Sequence, residues 1–247
     1  MVVGFAGSGS MAAAMARGWG ADAGPLLFTD SGSGRATELA TELGGEAVGN
    51  GELAERADLV VLAVKPAALD SVASELAGAN SVMSLLGATP LERIAAAFPD
   101  AEDVCRVMPN VAVEVRRGVL CVAGSLSADA QRLLRMLGHV VELPDEDFDA
   151  ATAIMGCAPA YLALAVEALA DAGVEAGLGE ELARELVVET TGGTAELLRE
   201  RHPHDVRRAV ASPGGSTEAG LEALDREGAR AAFEAAVRAS LERMRGS

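Results

Sequence analysis

The sequence predicts an α/β protein in two parts, a doubly wound sheet followed by an all-helical half, and three observations carry this. Up to about residue 148, short β-rich runs alternate with alanine-rich stretches of helical composition. The first run leads directly into a loop with closely spaced glycines. Beyond about residue 147, strand signals nearly vanish. The expected division is therefore 1–148 for a Rossmann-like dinucleotide-binding domain and 149–247 for a helical domain.

Strands are expected at VVGFA (2–6), LLFT (26–29), ADLVVLAV (57–64), SVMSLL (81–86), VCRVM (104–108), GVLCVA (118–123) and HVVEL (139–143). Continuous apolar runs such as 59–64 suit strands covered on both faces, as in a parallel sheet. Helical stretches fall between them at 34–44, 66–77, 90–98 and 127–137. In the second half, 158–173, 179–200, 203–210, 216–226 and 228–245 all look helical, several with apolar residues at helical spacing. These helices are too apolar for a solvated appendage. They are expected to pack on the first domain and on a second copy of the chain.

The 247 residues can bury a sizeable core, and half of them are hydrophobic. No apolar run is expected to span a bilayer, because the longest candidate, 160–178, is interrupted by Glu167 and Asp171. The N-terminus shows no basic region or small-residue cleavage site. A net charge of −17 repels nucleic acid and anionic membrane, and 3% aromatic content is poor for base stacking. Cys105, Cys121 and Cys157 are scattered and odd in number, which argues against a disulfide framework or a zinc site. A reducing cytoplasm, and no metal, are the expectations.

Gly7-Ser8-Gly9-Ser10-Met11-Ala12 follows the first strand and opens a helix. In such a loop the first glycine permits a tight turn and the second leaves room for a pyrophosphate against the backbone. Ala12 lets helix pack on strand, and the helix N-terminus offers N–H groups to the phosphate. Asp30 ends the second strand, where an acid bonds an adenosine ribose and disfavours a 2′-phosphate. Ser31, Ser33 and Arg35 follow at once and suit that phosphate, so NADH and NADPH both remain open; Asp30 also reads as a turn residue or helix cap. Lys65-Pro66 ends the strand over 57–64 on the edge where open α/β sheets bind ligands. Against nineteen arginines Lys65 is the one lysine, either a ligand-edge cation or a plain exposed residue. Asn50, Ala63 and Val64 complete the expected cofactor set.

The second half contains Ser212-Pro213-Gly214-Gly215-Ser216-Thr217, a glycine turn opening a helix. With GFAGSGSMAAAMARG, DLVVLAVKP, VCRVMPN and APAYLALAVEALADAGVEAGL, this turn makes the chain resemble the pyrroline-5-carboxylate reductases nearly end to end. The resemblance implies a Rossmann domain and a helical dimerisation domain with the active site between them. It also implies an NAD(P)H-dependent reduction of 1-pyrroline-5-carboxylate to L-proline, with NADPH the commoner cofactor, and a homodimer able to assemble to a decamer. Lys65 and Thr217 are the expected catalytic residues, the Thr217 hydroxyl matching the group that bonds the ring nitrogen. Pro159, Ser212, Gly214, Gly215 and Ser216 join Thr217 as the substrate set, with backbone N–H groups from Gly214 to Thr217 gripping the carboxylate. The other reading of this turn is structural, with Ser216 or Thr217 capping the helix.

Gly156-Cys157-Ala158-Pro159 replaces a more usual Gly-Ser-Gly-Pro, and Leu85-Leu86-Gly87 and Arg208-Ala209-Val210 also depart from the pattern. Met108-Pro109-Asn110 continues with Val111-Ala112 where Thr-Pro is usual, and this change together with Ala209 keeps a reductase of another cyclic imine in view; a nucleotide-binding protein without turnover is the reading from a different class. Cys157 reads as a small filler, His202 and His204 as surface residues, and Asp145, Glu146 and Asp147 as a solvated turn.

Overall fold

The computed structural model describes residues 1–246. Strand residues of alternate parity go to opposite faces of one sheet, and each face gathers its own apolar core. Val3, Phe5, Leu26, Phe28, Leu59 and Val61 build one core, while Ala6, Leu27, Val60, Leu62 and Val82 build the other. The strands are β1 (Val3–Ala6), β2 (Leu26–Thr29), β3 (Glu46–Ala47), β4 (Leu59–Leu62), β5 (Ser81–Ser84), β6 (Asp103–Pro109), β7 (Gly118–Gly124) and β8 (Gly138–Glu142). Their order across the sheet is β3-β2-β1-β4-β5-β6-β7-β8. The direction of winding reverses between β1 and β4, which places a switch-point crevice at their C-terminal ends.

Helices α1 (Ser10–Trp19), α2 (Arg35–Leu43), α3 (Asn50–Arg56), α4 (Leu69–Glu75), α5 (Leu91–Ala97), α6 (Ala128–Leu137) and α7 (Phe148–Met155) accompany the sheet. All seven expected strands are present. β3 carries no strand signal in the sequence, because both its residues are exposed and polar or small. α3 and α7 likewise carry no helix signal, being short and without a long apolar period. β6 and β7 are antiparallel, so the doubly wound sheet is mixed. The connection over 110–117 is too short for a parallel crossover, which takes about a dozen residues or more.

That connection holds a short 3-10 turn, Val111–Val115, seated against α1. A side chain on Gly18 would lie 2.2 Å from the Val113 carbonyl, so only glycine lets the two backbones approach this closely. Arg116 follows with φ 57° and donates through Nε to the Gly18 carbonyl at 2.6 Å and through Nη2 to the Trp19 carbonyl at 3.0 Å. It thereby satisfies the end of α1, whose last carbonyls have no helical partner.

Asp145 is not in a solvated turn. Its carboxylate accepts from Arg106 Nη1 at 2.8 Å and from the Leu91 N–H, at the start of α5, at 2.9 Å. The Arg106 side chain is 5% exposed and its guanidinium lies 4.5 Å from the Phe148 ring centroid. In β6 the pKa of the Cys105 thiol is pushed up to about 12 by burial and then by the Asp103 charge, and in β7 burial also raises that of Cys121. Neither thiol is a nucleophile at neutral pH.

The chain forms two compact units, Met1–Cys157 with the tail from Arg243, and Ala158–Glu242. The second contains α8 (Ala158–Glu175), α9 (Glu180–Glu200), α10 (Pro203–Val210) and α11 (Ser216–Arg226), with α12 beginning at Ala229. The Tyr161 hydroxyl of α8 meets Ser240 Oγ of α12 at 2.5 Å. Of the unit's apolar side chains only Ala183 is buried, while Leu162, Leu164, Leu169, Leu182, Leu186 and Phe233 are all exposed. Contrary to expectation, one helical stretch, Asp145–Glu175, is long and apolar enough to cross a membrane by length and composition, with mean hydropathy 1.7. Alanine on every face of α8 lifts the average despite Glu167 and Asp171. The stretch is also interrupted at Gly156-Cys157, where α7 ends and α8 begins.

Ala88 holds a left-handed φ of 52° in the loop after β5, where a β-carbon is strained. Ala88→Gly is expected to stabilise the protein by about 0.5–1 kcal/mol, since relief of strain outweighs the added freedom of the unfolded chain. A thermal unfolding midpoint unchanged or lower than the parent's would show that the loop does not resist this conformation.

Candidate functional site

β1 stops at Ala6 and Gly7 turns the chain with φ +100°. A β-carbon on Gly7 would lie 2.7 Å from the Ala63 carbonyl and 3.1 Å from Val64 Cγ1, so Gly7, Ala63 and Val64 meet at the seam between β1 and β4. Ser8 is buried and donates its hydroxyl to the Thr29 carbonyl at 2.9 Å, tying the loop to the end of β2. Its side chain is thus structural, and only its backbone faces a ligand. Gly9 is the N-cap of α1 in extended backbone, with no side chain to cap the helix. Beyond its chain neighbours, no atom of the described residues lies within 4 Å of where its β-carbon would be. The first-turn N–H groups of α1 therefore have no capping side chain at the positive end of the helix, and a pyrophosphate fits over Gly9 and Ser10. Ala12 is fully buried against the sheet, as its small size allows.

A cleft of about 390 Å³ extends from this loop, lined among others by Ser8, Gly9, Ser10, Arg17, Arg35 and Val111. Sequence reasoning missed Arg17, which pairs with Glu42 at 2.7 Å and Glu114 at 3.5 Å along one wall. The Glu42 hydrogen bond raises the Arg17 pKa, and the same bond lowers that of Glu42. No local signal marks this trio, which comes together only through folding.

At the end of β2 the Asp30 carboxylate turns back into its own loop. Oδ1 accepts from the Gly32 N–H at 2.7 Å, and Oδ2 from the Ser33 hydroxyl at 3.0 Å and the Ala36 N–H at 2.9 Å. These donors, the Ala36 N–H foremost, hold its pKa below the ordinary carboxylate value. Ser33 is committed to Asp30, while Ser31 and Arg35 remain exposed. Asn50 opens α3 and donates to Glu75 Oε2 at 2.8 Å; its Oδ1 is buried with no partner among the described residues. That oxygen is an acceptor suited to a ligand hydroxyl. Lys65 is exposed just beyond β4 and forms no ion pair among the described residues, and Pro66 starts the 3-10 turn Pro66–Ala68.

The substrate set lies in the helical unit. Pro159 is in the first turn of α8. In the turn before α11, Gly214 has φ +72° and the Gly215 N–H bonds the Ser212 carbonyl at 2.9 Å. Gly215 is the N-cap of α11, with no side-chain cap. The expectation that Ser216 or Thr217 caps this helix is therefore wrong: both are already helical, one and two residues inside, and both are exposed. Their N–H groups and hydroxyls are free to receive an anion. The Gly214 N–H, however, is taken by Glu218 Oε2 at 2.7 Å. Sequence reasoning passed over Glu218, although its place three residues after the N-cap is a readable reach-back signal.

Asn110, which closes the VCRVMPN motif, is buried, and both ends of its amide are bonded. Its Oδ1 accepts from the Val119 N–H at 3.2 Å and its Nδ2 donates to the Met155 carbonyl at 3.1 Å. The amide extends the β6–β7 ladder and fixes the exit of α7.

Residues 145–247 match the pyrroline-5-carboxylate reductase dimerisation family, and residues 2–86 match the family described as NADP oxidoreductase coenzyme F420-dependent. The chain is 41% identical over 205 residues to the pyrroline-5-carboxylate reductase of Synechocystis, covering 78% of this chain and 76% of that one. A solved 1-pyrroline-5-carboxylate reductase from Streptococcus pyogenes superposes with TM-score 0.90 at 31% identity, covering 100% of this chain and 99% of that one. Plasmodium falciparum pyrroline carboxylate reductase, solved with NADP bound, does so with TM-score 0.86 at 28% identity, covering 100% and 97%.

Asp30→Ala is expected to weaken NADPH and NADH alike, by severalfold, because it frees the loop over 30–36 that Asp30 holds. Fluorescence titration with each cofactor checks this, and loss confined to NADH would make Asp30 a direct ribose acceptor. The depressed pKa fixes the sign with pH: the contact is fully made above the unfolded value of 3.8 and is lost as pH falls through the lower folded value.

Proposed function

The chain belongs to the pyrroline-5-carboxylate reductase family, and from that premise we propose that it reduces 1-pyrroline-5-carboxylate to L-proline with NADPH or NADH. The observation that carries the reading is a pair of helix starts left without side-chain caps, at Gly9 and at Gly215. Each exposes N–H groups to an anion, a pyrophosphate at the first and an imino-acid carboxylate at the second.

A reduced nicotinamide supplies the hydride when bound. The substrate needs little activation, because a cyclic imine protonated at nitrogen is already electrophilic. Hydride adds to the C=N carbon and the π pair returns to nitrogen, so the chain mainly holds partners in register. Gly7, Ser8, Gly9, Ser10 and Met11 bind the pyrophosphate through backbone N–H groups, with Ala63, Val64 and Pro66 closing the other side of the seam. Asn50 offers its free Oδ1 to the ribose end. Lys65, the chain's one lysine, brings its ammonium to the same edge as a candidate catalytic cation. In the helical unit Ser216 and Thr217 hold the carboxylate through N–H, Thr217 Oγ1 orients the ring nitrogen, and Pro159 packs beside the substrate. NADPH is favoured over NADH, because Asp30 is turned into its loop while Ser31 and Arg35 face outward.

The helical half makes the protein oligomeric, and a cytoplasmic homodimer, able to assemble further to a decamer, is the form we propose. Light scattering at micromolar concentration is expected to give a dimer or larger. A monomer would leave the apolar faces of α8 and α9 without a partner and contradict the reading.

Purified protein with NADPH and 1-pyrroline-5-carboxylate is expected to oxidise the cofactor; oxidation only with other cyclic imines, or none, would overturn the assignment. Thr217→Ala removes a hydroxyl that makes no hydrogen bond among the described residues. A hydrogen bond to a charged group contributes about 1.5–3 kcal/mol, so kcat/KM is expected to fall on the order of tenfold to a hundredfold with melting temperature unchanged. Unchanged kinetics would remove Thr217 from the reaction.

A further inference from the structure

The turn that opens α11 already holds an anion of its own. Glu218 is the third residue of α11 and reaches back past the helix start to the Gly214 N–H at 2.7 Å. It is half-buried, whereas Ser212, Gly214, Ser216 and Thr217 around it are exposed. Gly214 sits at φ +72° and Gly215 is extended, so two residues of low intrinsic stiffness precede the helix. Two bonds restrain them: the backbone bond from Gly215 to Ser212, and the carboxylate of Glu218. The N–H groups of Ser216 and Thr217 lie in the first turn of α11, where no preceding helical carbonyl and no capping side chain takes them.

We propose that Glu218 is a positioning residue for the substrate, clamping the glycine turn so that Ser216 and Thr217 are presented to the imino-acid carboxylate. The inference rests on the assignment of 212–217 as the carboxylate grip. Glu218 touches no reacting atom in this scheme. Its effect falls on substrate binding, with hydride transfer and cofactor binding left alone.

Glu218→Ala removes the clamp, and loss of a charged hydrogen bond predicts a KM for the imine raised about tenfold, with kcat within about twofold. The KM for NADPH is expected to stay the same. Glu218→Gln keeps an oxygen acceptor for the Gly214 N–H and is expected to restore most of the imine KM, which a purely charge-based role would not allow. If the alanine variant does not fold, Glu218→Asp serves: it keeps the charge, loses the reach and is expected to raise KM as well. Calorimetric binding of L-proline reads the same turn without turnover, and affinity is expected to drop in parallel. A wild-type protein that binds L-proline through a Glu218-dependent turn but reduces no pyrroline-5-carboxylate sinks the proposed function and leaves this inference standing. Equal KM and proline affinity in parent, alanine and aspartate variants would overturn it. So would a lowered KM in the alanine variant, which makes the carboxylate a competitor, or a wild type that binds no proline.

Discussion

Between β1 and β4 the winding of the sheet reverses, and there the Ala63 carbonyl occupies the space that a side chain on Gly7 would need. The nucleotide-binding architecture follows from that close approach. Because Gly7 takes a positive φ, the chain turns within a few residues and α1 starts directly over the seam. Ser8 then spends its hydroxyl on β2, which fixes the loop from below and leaves Gly9 uncovered above. The loop over 30–36 is held by similar means, with a carboxylate in place of the hydroxyl. The two loops are held by short side chains, those of Ser8 and Asp30, while Arg35 lines the cleft.

The two helix starts that lack a side-chain cap share one feature. Glycine at an N-cap gives up only a few tenths of a kcal/mol relative to Ser or Asp, so donors can be left for a ligand at little cost in stability. They differ in what steadies them. The start of α1 is set by the sheet beneath it, through Gly7 and Ser8. The start of α11 lies in a unit with a single buried apolar side chain and depends on contacts within its own turn.

Much of the fold was legible because the strands are short apolar runs, each facing two helical layers. β3 was not, since two exposed residues carry no pattern. The reversal of β7 was legible in principle from the length of the 110–117 connection. Of the site, the glycines could be read because their requirement is local: a positive φ at Gly7 and open space at Gly9. Asp30 was ambiguous for a physical reason, since an acid at a strand end can face a ribose or its own loop, and backbone geometry decides. Asp145 read as solvated because its partner Arg106 lies 39 residues away in sequence. Arg17 was silent for the same reason, as were the ties made by Asn110.

Trp19, the chain's one tryptophan, is fully buried beneath the sheet, near Phe5 and with its indole N–H bonded to the Leu133 carbonyl. Intrinsic tryptophan emission therefore reports on a single unit. A rise in solvent exposure of the indole would signal opening of the α1–α6 layer, while the helical unit could loosen or separate from a partner with no change in this signal. Circular dichroism would see both, because helices dominate the second unit. Comparing the two optical transitions in one melt would show whether the nucleotide-binding unit and the helical unit unfold together or in sequence.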